Sequence, residues 1–147
     1  MNVLEFKPTR RAAYSLALIG AFVVAGCDDS TDPDPVVGTY VATSLVSTEN
    51  GVPFNHIANG STILLTLHSG GSTTGAVHFE AAGGEPDFDA NLNGSWSRTG
   101  NTVDLSHSAD TFLKDTPLTF DGFTLTGDEI FSGVRLQVTL TRTDIEE

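Results

Sequence analysis

The one thiol in the chain is Cys27, and it follows Val24-Ala25-Gly26. Small residues at a cut, with an apolar residue just before them, suit the narrow subsites of a signal peptidase. The freed thiol is then the atom that takes a lipid. Upstream lie Lys7, Arg10 and Arg11, then an apolar run from Ala12 to Ala25 broken by Tyr14, Ser15 and Gly20. A secretory signal needs positive charge, roughly 7–15 apolar residues and a small-residue cleavage site. A membrane-spanning helix needs about 20 apolar residues. Residues 1–26 are therefore expected to be a lipoprotein signal peptide, with cleavage before Cys27 and lipidation of Cys27. Arg10-Arg11 matches a twin-arginine signal poorly, and the export route stays open.

The other chemistry-bearing residues give weaker patterns. His68 and His78 have the opposite parity to Leu67 and to Val77 and Phe79. Both are expected to point away from a core, near each other across one hairpin. Zinc takes three or four protein ligands, and no third is evident, so no metal is expected. His56 and His107 have no clear partner. The acids of Glu85-Pro86-Asp87-Phe88-Asp89-Ala90-Asn91 lack the Gly and the closing Glu of a calcium loop. Asp28 to Pro35 lacks them too. Gly70-Gly71-Ser72-Thr73-Thr74-Gly75 misses the spacing of a nucleophile elbow by one residue and precedes a strand, not a helix. No phosphate loop, dinucleotide fingerprint or His-Glu-x-x-His is present. The chain is expected not to be an enzyme and to carry no cofactor.

Charge narrows the partners. The chain has seven Lys+Arg and nineteen Asp+Glu. Cleavage before Cys27 leaves four against eighteen, a net charge of about −14. Nucleic-acid binders need basic faces for phosphate contacts, so no nucleic acid is expected. The acidity suits a soluble extracytoplasmic domain. With Cys27 lipidated, no cysteine is left for a disulfide, and the core alone must hold the fold.

The elements that position these residues read as strands. Cys27 to Pro35, with its Asp and Pro residues, is an extended linker. Residues 36–147 form one domain. Strands are expected at Val37–Val46, Thr62–His68, Ala76–Glu80, Asn91–Arg98, around Val103 and Leu105, at Leu118–Phe120, at Phe123–Thr126 and over Val134–Arg142, with a weaker one at Thr111–Leu113. Asp121-Gly122 and Thr99-Gly100-Asn101 mark hairpin turns. Val134 to Arg142 alternates strictly between apolar and polar residues. No stretch of the mature chain has a helical period. Short sequential hairpins predict an all-β, antiparallel, up-and-down barrel of eight strands, because closure removes exposed edges without long crossovers. At least 40% strand is expected, against a typical 20–25%. Closure pairs the first and last strands, which brings Tyr40 to Arg142, and the parity of Arg142 turns it inward. Phe79, Trp96, Phe120 and Phe123 are candidates to line the interior, which fits either a packed core or a cup for one small ligand.

Gly38-Thr39-Tyr40 resembles the Gly-x-Trp opening of lipocalins, with Tyr in place of Trp. Leu92-Asn93-Gly94-Ser95-Trp96-Ser97, Gly100-Asn101-Thr102-Val103-Asp104-Leu105 and Leu140-Thr141-Arg142 are similar to small bacterial lipocalin-like lipoprotein domains. The likeness spans Val37 to Arg142. It implies a calyx for a small apolar ligand, no shared enzymatic activity, and a final-strand Arg packed on the opening aromatic. Together these readings describe a monomeric, membrane-anchored domain of a bacterial cell envelope. It would bind a small hydrophobic ligand or envelope component. The alternative is a structural or interaction domain with a filled core.

Overall fold

The structure, a computed structural model, describes residues 32–80 and 86–143. Cys27 and residues 1–26, the expected signal peptide, lie outside the described residues. Ten strands account for 62% of the described residues, so strand content exceeds the expected 40%. They are β1 (Gly38–Glu49), β2 (Val52–Asn55), β3 (Thr62–Leu67), β4 (Ser72–Phe79), β5 (Phe88–Asn91), β6 (Gly94–Thr99), β7 (Thr102–His107), β8 (Leu118–Phe120), β9 (Thr124–Phe131) and β10 (Val134–Arg142).

Every pairing is antiparallel between near neighbours in the chain, and β10 pairs back to β1 to close the barrel. Ten strands make an eight-stranded wall because two staves are each built from two pieces. β2 and β3 share one edge of β1: β2 covers Val46–Glu49 and β3 covers Gly38–Val41. Likewise β5 and β6 share one edge of β4. Between β5 and β6 the Leu92 N–H donates to Gly75 O at 2.9 Å, and Thr73 Oγ1 donates to Leu92 O at 2.6 Å. The chain thus bends at Leu92 without losing its hold on β4, and the single strand expected at Asn91–Arg98 is broken there.

Alternation sends one set of side chains inward on every stave. Tyr40, Leu45, Ile63, Leu65, Leu67, Val77, Leu92, Val103, Leu118, Leu125, Val138 and Leu140 form the buried core. A bulge between Ala42 and Ser44 shifts the phase of β1, so that Tyr40 and Leu45 both face in despite their odd spacing. The strand expected at Thr111–Leu113 is instead a 3-10 turn, Phe112–Asp115. Lys114 N–H donates to Thr111 O and Thr116 Oγ1 to Phe112 O. Pro117 follows, and the turn drives Leu113 into the core at full burial. β2 has no counterpart in the expected strands. Its turn is Asn50-Gly51, with φ of 49° and 82°. Two successive positive φ values define the tight hairpin turn that Asn-Gly favours.

Candidate functional site

The two ends of the barrel differ in chemistry. At the end where the chain enters, residues 34–37 form a strap latched by two arginines. Arg98 Nη1 donates to Asp34 Oδ1 at 2.6 Å, and the same oxygen accepts the Val36 N–H. Arg142 Nη2 donates to the carbonyls of Pro35 and Val37. Tyr40 stands directly opposite Arg142 in the β1–β10 ladder. The guanidinium lies 5.3 Å from the Tyr40 ring centre and 5.8 Å from that of Phe120. Both distances fall within the range of cation–π attraction. The Tyr40 hydroxyl donates to Val36 O at 2.7 Å.

The far end is aromatic. Phe54 meets His56 edge-on at 4.9 Å, and His56 meets Phe79 at 5.9 Å. Phe79 also contacts Phe88 at 6.2 Å and Phe112 at 6.0 Å. Burial lowers the His56 pKa and so favours the neutral ring. Its Nε2 pairs with Ser47 Oγ at 2.9 Å. Val52, Phe54 and Phe88 are exposed on this rim. A shallow depression of about 480 Å³ opens beside them, lined by Ser47, Glu49, Asn50, Val52 and Phe54. A second groove, about 450 Å³, runs along the outer wall over Thr119, Thr126 and Thr139. Its charged member, Asp128, pairs with Arg135 and accepts from Gln137 Nε2.

The four aromatics expected to line one interior are not brought together. Phe79 belongs to the far rim. Phe120 lies at the strap end, 5.4 Å from the Arg98 guanidinium. Trp96 packs on the core and donates from Nε1 to His68 O at 2.9 Å, which pins β6 to the β3–β4 turn. Phe123 falls in a loop and is 44% exposed, because the Asp121 carboxylate holds that loop open by accepting the Phe123 and Thr124 N–H groups.

The histidines also part company. His68 sits at the β3–β4 turn, with Nε2 on Thr74 Oγ1. His78 lies at the other end of the same hairpin, opposite Thr62. His107 is tied to Ala109 O and to Thr111 Oγ1.

His78 has neighbours that the linear sequence conceals. His78 pairs across β4–β5 with Asp89, and its Nδ1 lies 2.9 Å from Asp89 Oδ1. Its Nε2 lies 3.4 Å from Glu80 Oε2. Ligand atoms of His78, Glu80 and Asp87 all fall within 4.8 Å of one another. The hydrogen bond to Asp89, then that to Glu80, raises the His78 pKa. The signal that could have found this group is His-x-Glu at 78–80 and Asp-x-Asp at 87–89, flanking Gly83-Gly84 as one hairpin.

No family model, no curated protein and no solved structure matches the chain.

Proposed function

We propose that this chain is a lipid-anchored lipoprotein of a bacterial cell envelope, held at a membrane through Cys27. Its lipocalin-like barrel binds an envelope component at the aromatic rim and holds no ligand inside. The observation that carries this reading is the packed interior. The largest fully buried side chains are Tyr40, eight leucines and three valines, and they occupy the space a calyx would need. Apolar surface is exposed at the rim instead, at Val52, Phe54 and Phe88. Exposed apolar groups gathered at one place mark contact surfaces more often than those scattered singly. The depression beside Phe54 is shallow and part polar, lined by Ser47, Glu49 and Asn50 as well as Val52 and Phe54, which suits contact with a larger partner better than enclosure of a small molecule.

The anchor rests on Val24-Ala25-Gly26-Cys27 and the basic, then apolar, residues before it. One acyl chain binds a membrane only marginally, and two or more make the attachment lasting. The rim is the end of the barrel away from the strap of residues 34–37.

Two measurements test the reading. A fatty-acid probe fed to cells labels the native chain and leaves Cys27→Ser unlabelled; equal labelling overturns the anchor. A photo-crosslinking residue at position 54 of the anchored protein gives a discrete adduct that Phe88→Ser abolishes. The same residue at position 126, on the outer wall, gives none. Equal adducts at both positions, or none at 54, overturn the rim as the binding surface.

A further inference from the structure

We propose that the outer wall of the β4–β5 hairpin is a site for one first-row divalent cation of the zinc type, ligated by His78 Nε2 and the carboxylates of Glu80 and Asp87. The placement follows from strand parity. Phe79 and Phe88 are a ladder pair on the inner face of the wall. The next ladder pair, His78 and Asp89, then takes the outer face, and Glu80 and Asp87 follow directly beyond the two strand ends. The hairpin delivers an imidazole and two carboxylates to one spot, with ligand atoms no more than 4.8 Å apart. Two donors on a tetrahedral zinc with bonds of about 2.0–2.2 Å stand roughly 3.4 Å from each other. Small side-chain rotations close that difference, and these side chains have room to make them. His78 and Glu80 are 34% and 50% exposed, and Asp87 is exposed as well.

The imidazole separates this group from an ordinary acidic patch. A histidine that ligates through one ring nitrogen nearly always gives its other N–H to a carboxylate or carbonyl, which sets the tautomer and aims the ring. Asp89 stands at Nδ1 in that role, and Nε2 faces Glu80. Three carboxylates thus gather around one imidazole.

Donor type selects the metal class. Imidazole nitrogen suits zinc and its first-row neighbours, whereas calcium takes six to eight oxygens. Two carboxylates fall short of a calcium cage. Three protein ligands leave a fourth position for water or for a donor from another molecule. The site is distinct from the aromatic rim and does not depend on the anchor.

The test uses the untagged full chain with Cys27→Ser, which removes the thiol as a competing ligand. It is titrated calorimetrically with zinc sulfate at neutral pH, while the His78 ring signal is followed by nuclear magnetic resonance. One zinc per chain is expected, with the His78 resonance shifting and those of His68 and His107 unmoved. His78→Gln is expected to weaken binding at least about tenfold, and Asp89→Asn about 10- to 100-fold. His68→Gln, at the other end of the hairpin, leaves binding intact. Each variant's circular dichroism spectrum establishes that it is folded. Four results would overturn the proposal: no stoichiometric binding to the folded chain, binding unchanged in His78→Gln, zinc shifting another histidine instead, or displacement of zinc by equimolar calcium.

Discussion

Arg142 ties three things together: the strap carbonyls of Pro35 and Val37, the Tyr40 ring and the Phe120 ring. Its apolar stem continues the inward row of Val138 and Leu140, so the charge emerges at the barrel's end with aromatic faces around it. A double-mutant cycle of Tyr40→Leu and Arg142→Met, read by urea unfolding, should give a coupling of about 0.5–2 kcal/mol. Coupling indistinguishable from zero would mean the two side chains merely sit side by side. Asp121 gives a pH signature. Two N–H groups and the Thr124 hydroxyl donate to its carboxylate, led by the Thr124 N–H, and they lower its pKa from 3.8 to about 2. The folded pKa is the depressed one, so the ionised carboxylate contributes its full stability above about pH 4. That contribution disappears as pH falls through about 2. Asp121→Ala should therefore be less stable than the parent at pH 6, and the gap should narrow between pH 4 and pH 2. A gap that stays constant across that range would remove the carboxylate's charge from the account. The Tyr40–Arg142 pairing was legible in the sequence because closure and parity alone dictate it. The group around His78 was not. It needs the register of a hairpin whose arms lie about ten residues apart, and a one-residue slip would send every one of its members to the other face.

Among the elements, the inward side of β9 shows how tightly this barrel is filled. A Cβ placed on Gly127 would lie 2.5 Å from Thr116 Cγ2, 2.9 Å from Leu118 Cδ2 and 3.1 Å from Val138 Cγ1. The 3-10 turn at Phe112–Asp115 and the following Thr116 fill the space that a larger residue would want. Gly127→Ala should cost about 1–3 kcal/mol by overpacking. Leu113→Ala, on the same plug, should cost about 2–5 kcal/mol through the cavity it leaves. Both are read from chemical denaturation midpoints. A neutral Gly127→Ala would mean that the plug lifts easily, and the packed interior would lose its support as the basis for a rim-binding domain. These details explain which elements the sequence revealed. Val134 to Arg142 alternates without a break and was legible end to end. Thr111–Leu113 has strand-like residue types, yet its backbone closes on itself, with the Lys114 N–H donating to Thr111 O and Thr116 Oγ1 to Phe112 O. β2 is short and all four of its residues are exposed, so no alternating burial pattern marks it, although Asn50-Gly51 does signal its turn. The break at Leu92 is invisible in alternation, because it depends on where Gly75 and Thr73 offer hydrogen bonds.

For the whole molecule, the dominant electrostatic fact is a surplus of negative charge. Seven basic residues face nineteen acids in the full chain, and four face eighteen after residue 26. Adding salt has two opposing effects. It weakens the exposed pairs Lys114–Asp110 and Arg135–Asp128, which water already screens. It also screens the repulsion among the many unpaired acids, since the Debye length falls from about 30 Å at 0.01 M to about 8 Å at 0.15 M. Repulsion acts over the whole surface and the pairs act at two places, so screening of repulsion should win. The thermal midpoint of the Cys27→Ser chain should therefore rise as sodium chloride goes from 0.01 to 0.15 M and change less beyond that. Magnesium chloride at matched ionic strength should give a similar curve, because hard cations contribute here mainly through screening. Zinc should instead act at micromolar levels where screening is negligible, raising the midpoint by mass action on the folded state. His78→Gln should remove the zinc effect and leave the sodium chloride curve as it was. A midpoint that falls with sodium chloride would show that the ion pairs, few as they are, outweigh the repulsion.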